Sequence, residues 1–102
     1  MKVQNMTSSK GNKIANQFVI TDETGDIFFQ SYDSIIAKKE FDNCATKDRG
    51  VSLYTKETIY LDSAYWDYSV TTGKYRNQFL GETKKETQAK IDSGEYILTN
   101  LN

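Results

Sequence analysis

The segment that decides the fold is KIANQFVITDETGDIFFQS, residues 13–31. Its first part, residues 14–21, is apolar and β-branched, which favours an extended strand. Residues 22–26 contain the aspartate and glycine residues that are typical of a tight turn, and residues 27–31 resume the strand pattern. The segment therefore predicts a β-hairpin.

The chain on either side of this hairpin is more polar. A third strand is predicted at residues 35–38, and the polar, aperiodic residues 40–50 predict a long connecting loop. Upstream, residues 1–12 predict a flexible polar lead-in, with order beginning near Lys13.

Apolar alternation returns after the predicted loop and leaves two arrangements open. Strands 51–55 and 58–62 form a second hairpin, or one longer strand pairs with residues 35–39. Both arrangements extend the same sheet.

The C-terminal third carries helix signals. Thr71 or Thr72 is a candidate N-cap of a short helix in which Tyr75 and Phe79 lie one turn apart, and Gly81 is placed to end it. These residues predict a helix of about two to three turns.

A second helix is predicted at residues 84–93. Thr83 and Glu86 match the capping box, in which each side chain bonds the backbone amide of the other residue. Residues 95–99 then read as a closing strand. The pattern predicts an α+β fold: a small antiparallel sheet of four to five strands, with one or two helices from the C-terminal third packed on one face.

Composition limits the class of protein. A chain of 102 residues, with 37% hydrophobic and 13% aromatic side chains, is expected to form a single domain over residues 1–102. The net charge of −1 argues against broad nucleic-acid affinity. No apolar run approaches the roughly 20 residues of a membrane span, and the lone Cys44 suits a cytoplasmic protein.

The sequence excludes some catalytic and metal-binding sites and lacks the complete motif of others. The chain has no histidine, which excludes Ser-His-Asp and Cys-His catalysis and histidine-based metal sites. The acidic turn at residues 22–26 lacks the spacing of an EF-hand, so a plain hairpin turn is favoured over a calcium loop. Gly73 and Lys74 lack the earlier glycine of a phosphate loop. We therefore expect no enzyme activity and no cofactor.

The densest cluster of aromatic residues, residues 65–81, divides into two groups. Burial of large rings stabilises a core, and we assign Trp66, Tyr68, Phe79 and Leu80 to it. Tyrosine and arginine are also typical of protein-recognition surfaces. The remaining polar and aromatic members are predicted partner contacts: Tyr65, Asp67, Lys74, Tyr75 and Arg76.

Residues 65–81 also contain most of the residues on which a resemblance to a protein family rests. The chain resembles an uncharacterised family of small proteins from Gram-positive phages and other mobile elements, over most of its length apart from roughly residues 40–57. No catalytic residue of that family is known to carry over. The residues that carry the resemblance are 66–72 and 74–80 and, more loosely, Gly25, Phe28, Gln30, Ser31, Tyr32 and 94–96.

The resemblance implies a function by analogy. Small phage proteins without catalytic groups often occupy a surface of a host protein, as anti-CRISPR proteins do, so it implies an inhibitor of a bacterial defence system that works in the host cytoplasm. A type II effector nuclease such as Cas9 is the first candidate partner. Acidic side chains on loops would face its DNA channel: Asp22, Glu23 and Asp26, together with Glu40, Asp42 and Asp48.

Two other functions stay open at this point. Residues 74–90 interleave cations with an aromatic ring, as single-strand nucleic-acid binders do, and they suit a small nucleic-acid-binding regulator. A structural virion component, or one with weak enzymatic activity, is a third reading. The sequence does not specify the oligomeric state or the face used for binding.

Overall fold

The computed structural model describes residues 1–8, 10–42 and 56–102. These residues form an α+β fold, as predicted, with eight elements. In chain order these are β1 (Lys2–Thr7), β2 (Lys13–Thr21), β3 (Ile27–Ser31), β4 (Ser34–Asp42), β5 (Lys56–Asp62), α1 (Val70–Leu80), α2 (Lys84–Asp92) and β6 (Tyr96–Thr99).

The strands form one sheet in the order β1-β2-β3-β4-β5-β6. The first five are antiparallel neighbours, and β6 runs parallel to β5. The predicted strand number of four to five is therefore too low, and the sheet is mixed. The parallel pair follows from the helices: a connection that contains α1 and α2 returns the chain to the end of the sheet at which β5 begins.

The additional strand is β1, which lies within the predicted lead-in. It pairs with β2, with Val3 opposite Ile20 and Asn5 opposite Phe18. Only Met6 of this strand is deeply buried, at 6% exposure. An edge strand is stabilised largely by backbone hydrogen bonds to its single neighbour, so it forms here with few apolar side chains.

The hairpin of β2 and β3 confirms the prediction from residues 13–31. Its turn is closed by Asp22, whose Oδ1 accepts hydrogen bonds from the backbone amides of Thr24 at 2.9 Å and Asp26 at 3.0 Å. Gly25 has a φ of 95°, which favours glycine. The side chain of Asp22 therefore stabilises the turn in which it lies.

The third predicted strand is present as β4 and is longer than expected. It includes residues 40–42, which were assigned to a loop; the rest of that predicted loop lies outside the described residues. Next, β5 pairs with β4, with Ala37 opposite Leu61. The observed partners of β5 are residues 37–42, of which 37–39 belong to the predicted range 35–39. The alternative hairpin involves residues 51–55, which lie outside the described part.

The two helices confirm most of the predicted boundaries. Gly81 ends α1 in the left-handed conformation, with a φ of 73°. The N-cap is Ser69, whose Oγ accepts from the Thr72 amide at 3.1 Å, and neither Thr71 nor Thr72 caps the helix. The Thr72 hydroxyl is instead buried in a 2.9 Å hydrogen bond with Ser31. The reciprocal capping box predicted for α2 is present.

Both helices pack on one face of the sheet. Phe79 of α1 stacks on Phe29 of β3, with ring centroids 5.7 Å apart. Ile91 of α2 packs against the same cluster. The buried apolar side chains of the described residues are Met6, Phe29, Ile36, Ala37, Ile59, Leu61 and Tyr96.

The chain leaves β5 at a buried carboxylate, that of Asp62, which is 1% exposed. Its Oδ2 accepts from the amides of Ala64 at 3.0 Å and Tyr65 at 2.9 Å, while Oδ1 accepts from Leu101 N at 2.7 Å and Asn102 Nδ2 at 3.1 Å. Burial alone would raise the pKa of Asp62, but the hydrogen bonds, with that from Leu101 foremost, lower it.

The cap assignment of α1 can be tested by matched substitutions. Ser69→Ala should destabilise the protein by about 1 kcal/mol, because an amide of the first turn loses its acceptor. Thr71→Ala, at an exposed neighbouring position, should change the free energy of unfolding by less than about 0.5 kcal/mol. Urea unfolding measures both values. A larger loss of unfolding free energy for Thr71→Ala than for Ser69→Ala would indicate that Thr71 caps the helix.

Asp62 should make stability depend on pH. A carboxyl with a lowered folded pKa stabilises the fold above its unfolded pKa of about 3.9, and the contribution is lost as pH falls through the lower folded value. Asp62→Asn should cost about 1–3 kcal/mol near neutral pH, because an amide nitrogen would face backbone donors. The penalty should shrink towards about pH 2, since protonation of Asp62 removes its advantage.

The control for this prediction is Asp33→Asn, at an exposed turn position. Urea unfolding of both variants and the unmodified protein at several pH values measures the difference. A pH-independent penalty at Asp62 would contradict the role of its charge.

Candidate functional site

The predicted contact residues lie in two separate regions, and the first region joins β5 to α1. Trp66 is half-buried against the core, as predicted. Tyr68 is 48% exposed, so its assignment to the core is wrong. Residues 63–69 form turns, so the strand-like alternation assumed for Trp66 and Tyr68 does not apply. Tyr65 is 38% exposed and meets Tyr68 edge-on, with centroids 5.4 Å apart.

Arg76 lies inside the protein rather than on its surface. Its side chain is 1% exposed. Nη1 donates to the Trp66 carbonyl at 2.6 Å and lies 3.4 Å from Asp67 Oδ1, and Nη2 donates to Asn77 Oδ1 at 3.0 Å. The guanidinium also lies 5.1 Å from the centre of the Trp66 ring. The expectation that Arg76 is an exposed contact is therefore wrong, because the carbonyl and ring of the preceding turn enclose it.

The other three members of this group reach the surface to different degrees. Lys74 is exposed and lies 5.3 Å from the ring of Tyr75, which is half-buried against the core. Asp67 contacts both Arg76 and, at 2.8 Å, Lys84. The hydrogen bond from Lys84 is the main cause that lowers the pKa of the Asp67 carboxyl.

The basic segment 74–90 offers fewer free cations than its sequence suggests. Arg76 is buried and Lys84 is paired with Asp67. Lys90 pairs at 2.8 Å with Glu82, which also accepts from the Tyr96 hydroxyl at 2.7 Å. Burial, together with the hydrogen bond to Glu82, raises the pKa of Tyr96 to about 12. The remaining lysines of the segment, Lys74 and Lys85, are exposed.

The second region is the acidic turn between β2 and β3. Glu23 is exposed, while Asp22 and Asp26 are half-buried. Asp26 lies 3.8 Å from Lys38 and accepts from the Phe41 amide at 3.3 Å. Glu40 lies on β4. Among the other predicted groups, the side chain of Asp42 and the residues Cys44 and Asp48 lie outside the described part of the chain.

A feature that the sequence did not reveal lies on the sheet face opposite the helices. Partners in an antiparallel or parallel register project to the same face, so the register identifies a row of side chains across all six strands. We call it the apolar row, and five of its six members are apolar or aromatic. They are Val3, Ile20, Phe28, Lys38, Tyr60 and Ile97.

The apolar row is partly exposed. Val3 and Ile97, on the two edge strands, are 55% and 42% exposed. Phe28 and Tyr60 are half-buried, and the Lys38 ammonium lies 5.6 Å from the centre of each ring. At a strand spacing of about 4.8 Å, the row is about 24 Å wide.

The sheet face is acidic beside the middle of the apolar row, next to Phe28 and Lys38. Asp26 and Glu40 lie two residues from Phe28 and Lys38 along their strands, and so on the same face. Glu40 lies 3.1 Å from Lys38. Both carboxylates, those of Asp26 and Glu40, contact the Lys38 ammonium. The adjoining turn adds two more, those of Asp22 and Glu23. The predicted acidic contacts therefore belong to the apolar row, and the predicted group around Tyr65 does not.

A local sequence signal for the apolar row does exist. Phe28 and Phe29 are adjacent, so their side chains point to opposite faces of β3. Adjacent large aromatic residues in a strand indicate apolar surface on both faces of the sheet. The full row depends on the register between strands, which the single sequence does not specify.

Neither a metal site nor a membrane helix is found in residues 1–8, 10–42 and 56–102. Among the described residues, no group of three or more Cys, Asp or Glu side chains is placed to hold a metal ion. The two helices in this part of the chain are both too short and too polar to cross a bilayer.

The structural role of Arg76 gives a test. Arg76→Lys should cost about 1–3 kcal/mol, because a lysine cannot reach the Trp66 carbonyl and Asn77 together. Lys74→Ala, on the exposed side of the same helix, should lie within about 0.5 kcal/mol of the unmodified protein. Urea unfolding compares the variants. Equal stability of both would contradict the structural role of the guanidinium.

Comparison with known proteins identifies a family without a known activity. A family model described as a family of unknown function (DUF8033) matches residues 1–95. No curated protein and no solved structure matches the chain. The match covers all elements from β1 to α2 and ends one residue before β6. The chain therefore belongs to this family of unknown function.

Proposed function

We propose that this protein acts without catalysis, by binding another protein through the apolar row and the carboxylates beside its middle. The observation that carries the proposal is the continuity of the row, which spans every strand from Val3 to Ile97. Exposed apolar surface with a polar rim is typical of sites of protein association.

The charges on this face indicate the chemistry of the partner. The four carboxylates beside the middle of the row outnumber the ammonium of Lys38, the one cation of this group among the described side chains, and Glu23 is exposed. Complementary charge steers association, whereas like charges placed together oppose it. A basic protein surface with apolar side chains at its centre is the occupant that fits this face.

This chemistry agrees with the partner that the resemblance implies. A nuclease that receives DNA needs a basic channel, and acidic side chains can occupy such a channel in place of phosphates. We therefore propose an inhibitor of a bacterial defence nuclease, acting in the host cytoplasm, with a type II effector such as Cas9 as the first candidate. The phage origin rests on the resemblance, and the charge and apolar surface support the binding mode.

The alternative function of nucleic-acid-binding regulator receives less support. Binding of a nucleic-acid backbone depends on many unpaired cations that contact successive phosphates along the strand. In the segment proposed for it, Arg76 is buried and Lys84 and Lys90 have carboxylate partners. The charges of the described segment therefore favour the protein-binding proposal.

The proposal predicts the behaviour of a charged substitution on the apolar row. A purified Cas9-type nuclease should form a complex with the protein, and its DNA cleavage should be inhibited. Val3→Asp should weaken the complex about tenfold or more, because it introduces a carboxylate into the apolar contact. Calorimetry and a cleavage assay measure the affinity and the inhibition.

The matched control is Val70→Asp, because Val70 is an apolar side chain that is 91% exposed on α1, on the helix side of the sheet. Its complex should have the affinity of the unmodified protein. Two results would contradict the proposed surface: equal loss in both variants, or no complex with the nuclease. A dimer of this chain that Val3→Asp dissociates would identify a second copy as the occupant instead. The protein alone should not retard the DNA substrate on a gel.

A further inference from the structure

An open groove lies where the turn after β5 meets α1 and the start of α2. Its volume is about 640 Å³. It lies on the helix side of the sheet, so it is separate from the apolar row and does not depend on the function proposed for that row. The side chains and backbone that line it are those of Asp67, Tyr68, Ser69, Val70, Gly73, Lys74, Arg76, Asn77 and Lys84.

The guanidinium of Arg76 is the first observation that points to a ligand. It is 1% exposed, and its Nε is a buried donor without a hydrogen-bond partner among the described residues. A buried N–H of a charged group that stays unpaired costs free energy, so such a donor is normally satisfied. The groove that Arg76 lines is the place from which an acceptor could reach it.

Gly73 leaves room above this guanidinium. A Cβ atom at this position would lie 3.7 Å from both Nη1 and Nη2 of Arg76. A side chain there would therefore fill the space beside the two terminal nitrogens of the guanidinium, which the glycine leaves without a side chain. The glycine has no left-handed φ that would require it, so backbone conformation does not explain it.

The charges of the groove favour an anion. Three cations line it, those of Lys74, Arg76 and Lys84, against the single carboxylate of Asp67. Asp67 contacts Lys84 at 2.8 Å and Arg76 at 3.4 Å. This pair of contacts places a carboxylate between an ammonium and a guanidinium, and neither contact involves Nε of Arg76.

We propose that this groove binds an oxyanion, a carboxylate or a phosphate, carried by a ligand with an aromatic or apolar part. Guanidinium and ammonium groups are the usual donors to both oxyanions. The apolar part of the ligand would contact Tyr68 and Val70, which are 48% and 91% exposed beside the cations. Arg76 is the anchor of this site, and Lys84 supplies the second charge.

Titration of the ¹⁵N-labelled protein with inorganic phosphate, phenyl phosphate and benzoate, followed by NMR, tests the proposal. The backbone amide of Gly73 and the Nε–H of Arg76 should shift in a saturable way. Lys84→Ala should weaken binding about threefold or more, through loss of a charge-assisted hydrogen bond. Lys85→Ala, which removes the adjacent charge outside the groove, should bind as the unmodified protein does.

The outcomes separate the ligand classes and can overturn the site. Stronger binding of phenyl phosphate than of benzoate assigns a phosphate ligand, and the reverse order assigns a carboxylate. Gly73→Ala should weaken either ligand while the protein stays folded, because the added methyl group covers the guanidinium. The proposal fails if none of the three anions shifts the Arg76 Nε–H, or if Lys84→Ala and Lys85→Ala weaken binding equally.

Discussion

The carboxylate of Asp62 is the interaction on which the arrangement of the chain depends. It terminates β5 and accepts four hydrogen bonds, from the turn that leads to α1 and from residues 101 and 102. Asn102 in turn bonds both the amide and the carbonyl of Ile35, at 2.8 and 2.9 Å. One buried charge thus joins the start of the helical connection, the end of the chain and the beginning of β4. A neutral side chain of the same size could not accept from all four donors.

This junction also decides which sheet face stays accessible. Since the chain turns away from β5 at Asp62, α1 and α2 both cover the face that carries Phe29, and β6 returns parallel to β5. The opposite face then keeps the apolar row without a helix upon it. Phe28 and Phe29 show the consequence in adjacent positions: Phe29 is 0% exposed under α1, while Phe28 lies half-buried beside Lys38. The proposed binding surface is therefore a product of topology more than of any local motif.

Most features encoded by neighbouring residues were predictable from the sequence, with the N-cap of α1 as an exception, since it is Ser69 and not Thr71 or Thr72. Features that depend on distant partners were not predictable. The β2–β3 turn, the α2 capping box and the ending of α1 at Gly81 each depend on residues within one turn of one another, and each was predicted. The strand β1 was missed because its stability comes from backbone pairing with β2. Arg76 was misplaced because arginine is usually exposed, and the Trp66 carbonyl that encloses it is ten residues away. Composition alone therefore does not distinguish an exposed partner-binding residue from a buried one such as Arg76.

The formal net charge of −1 conceals a separation of charge between the two proposed sites. Four carboxylates and one lysine lie beside the middle of the apolar row, whereas three cations and one carboxylate, Asp67, line the groove beside α1. Ion pairs within each region, Lys38 with Glu40 and Lys84 with Asp67, reduce this contrast without removing it. Fields from surface charges fall off over about 8–10 Å at physiological salt. A partner that approaches either region therefore responds to the local charge, so a nearly neutral chain can attract a basic surface on one side and an oxyanion on the other.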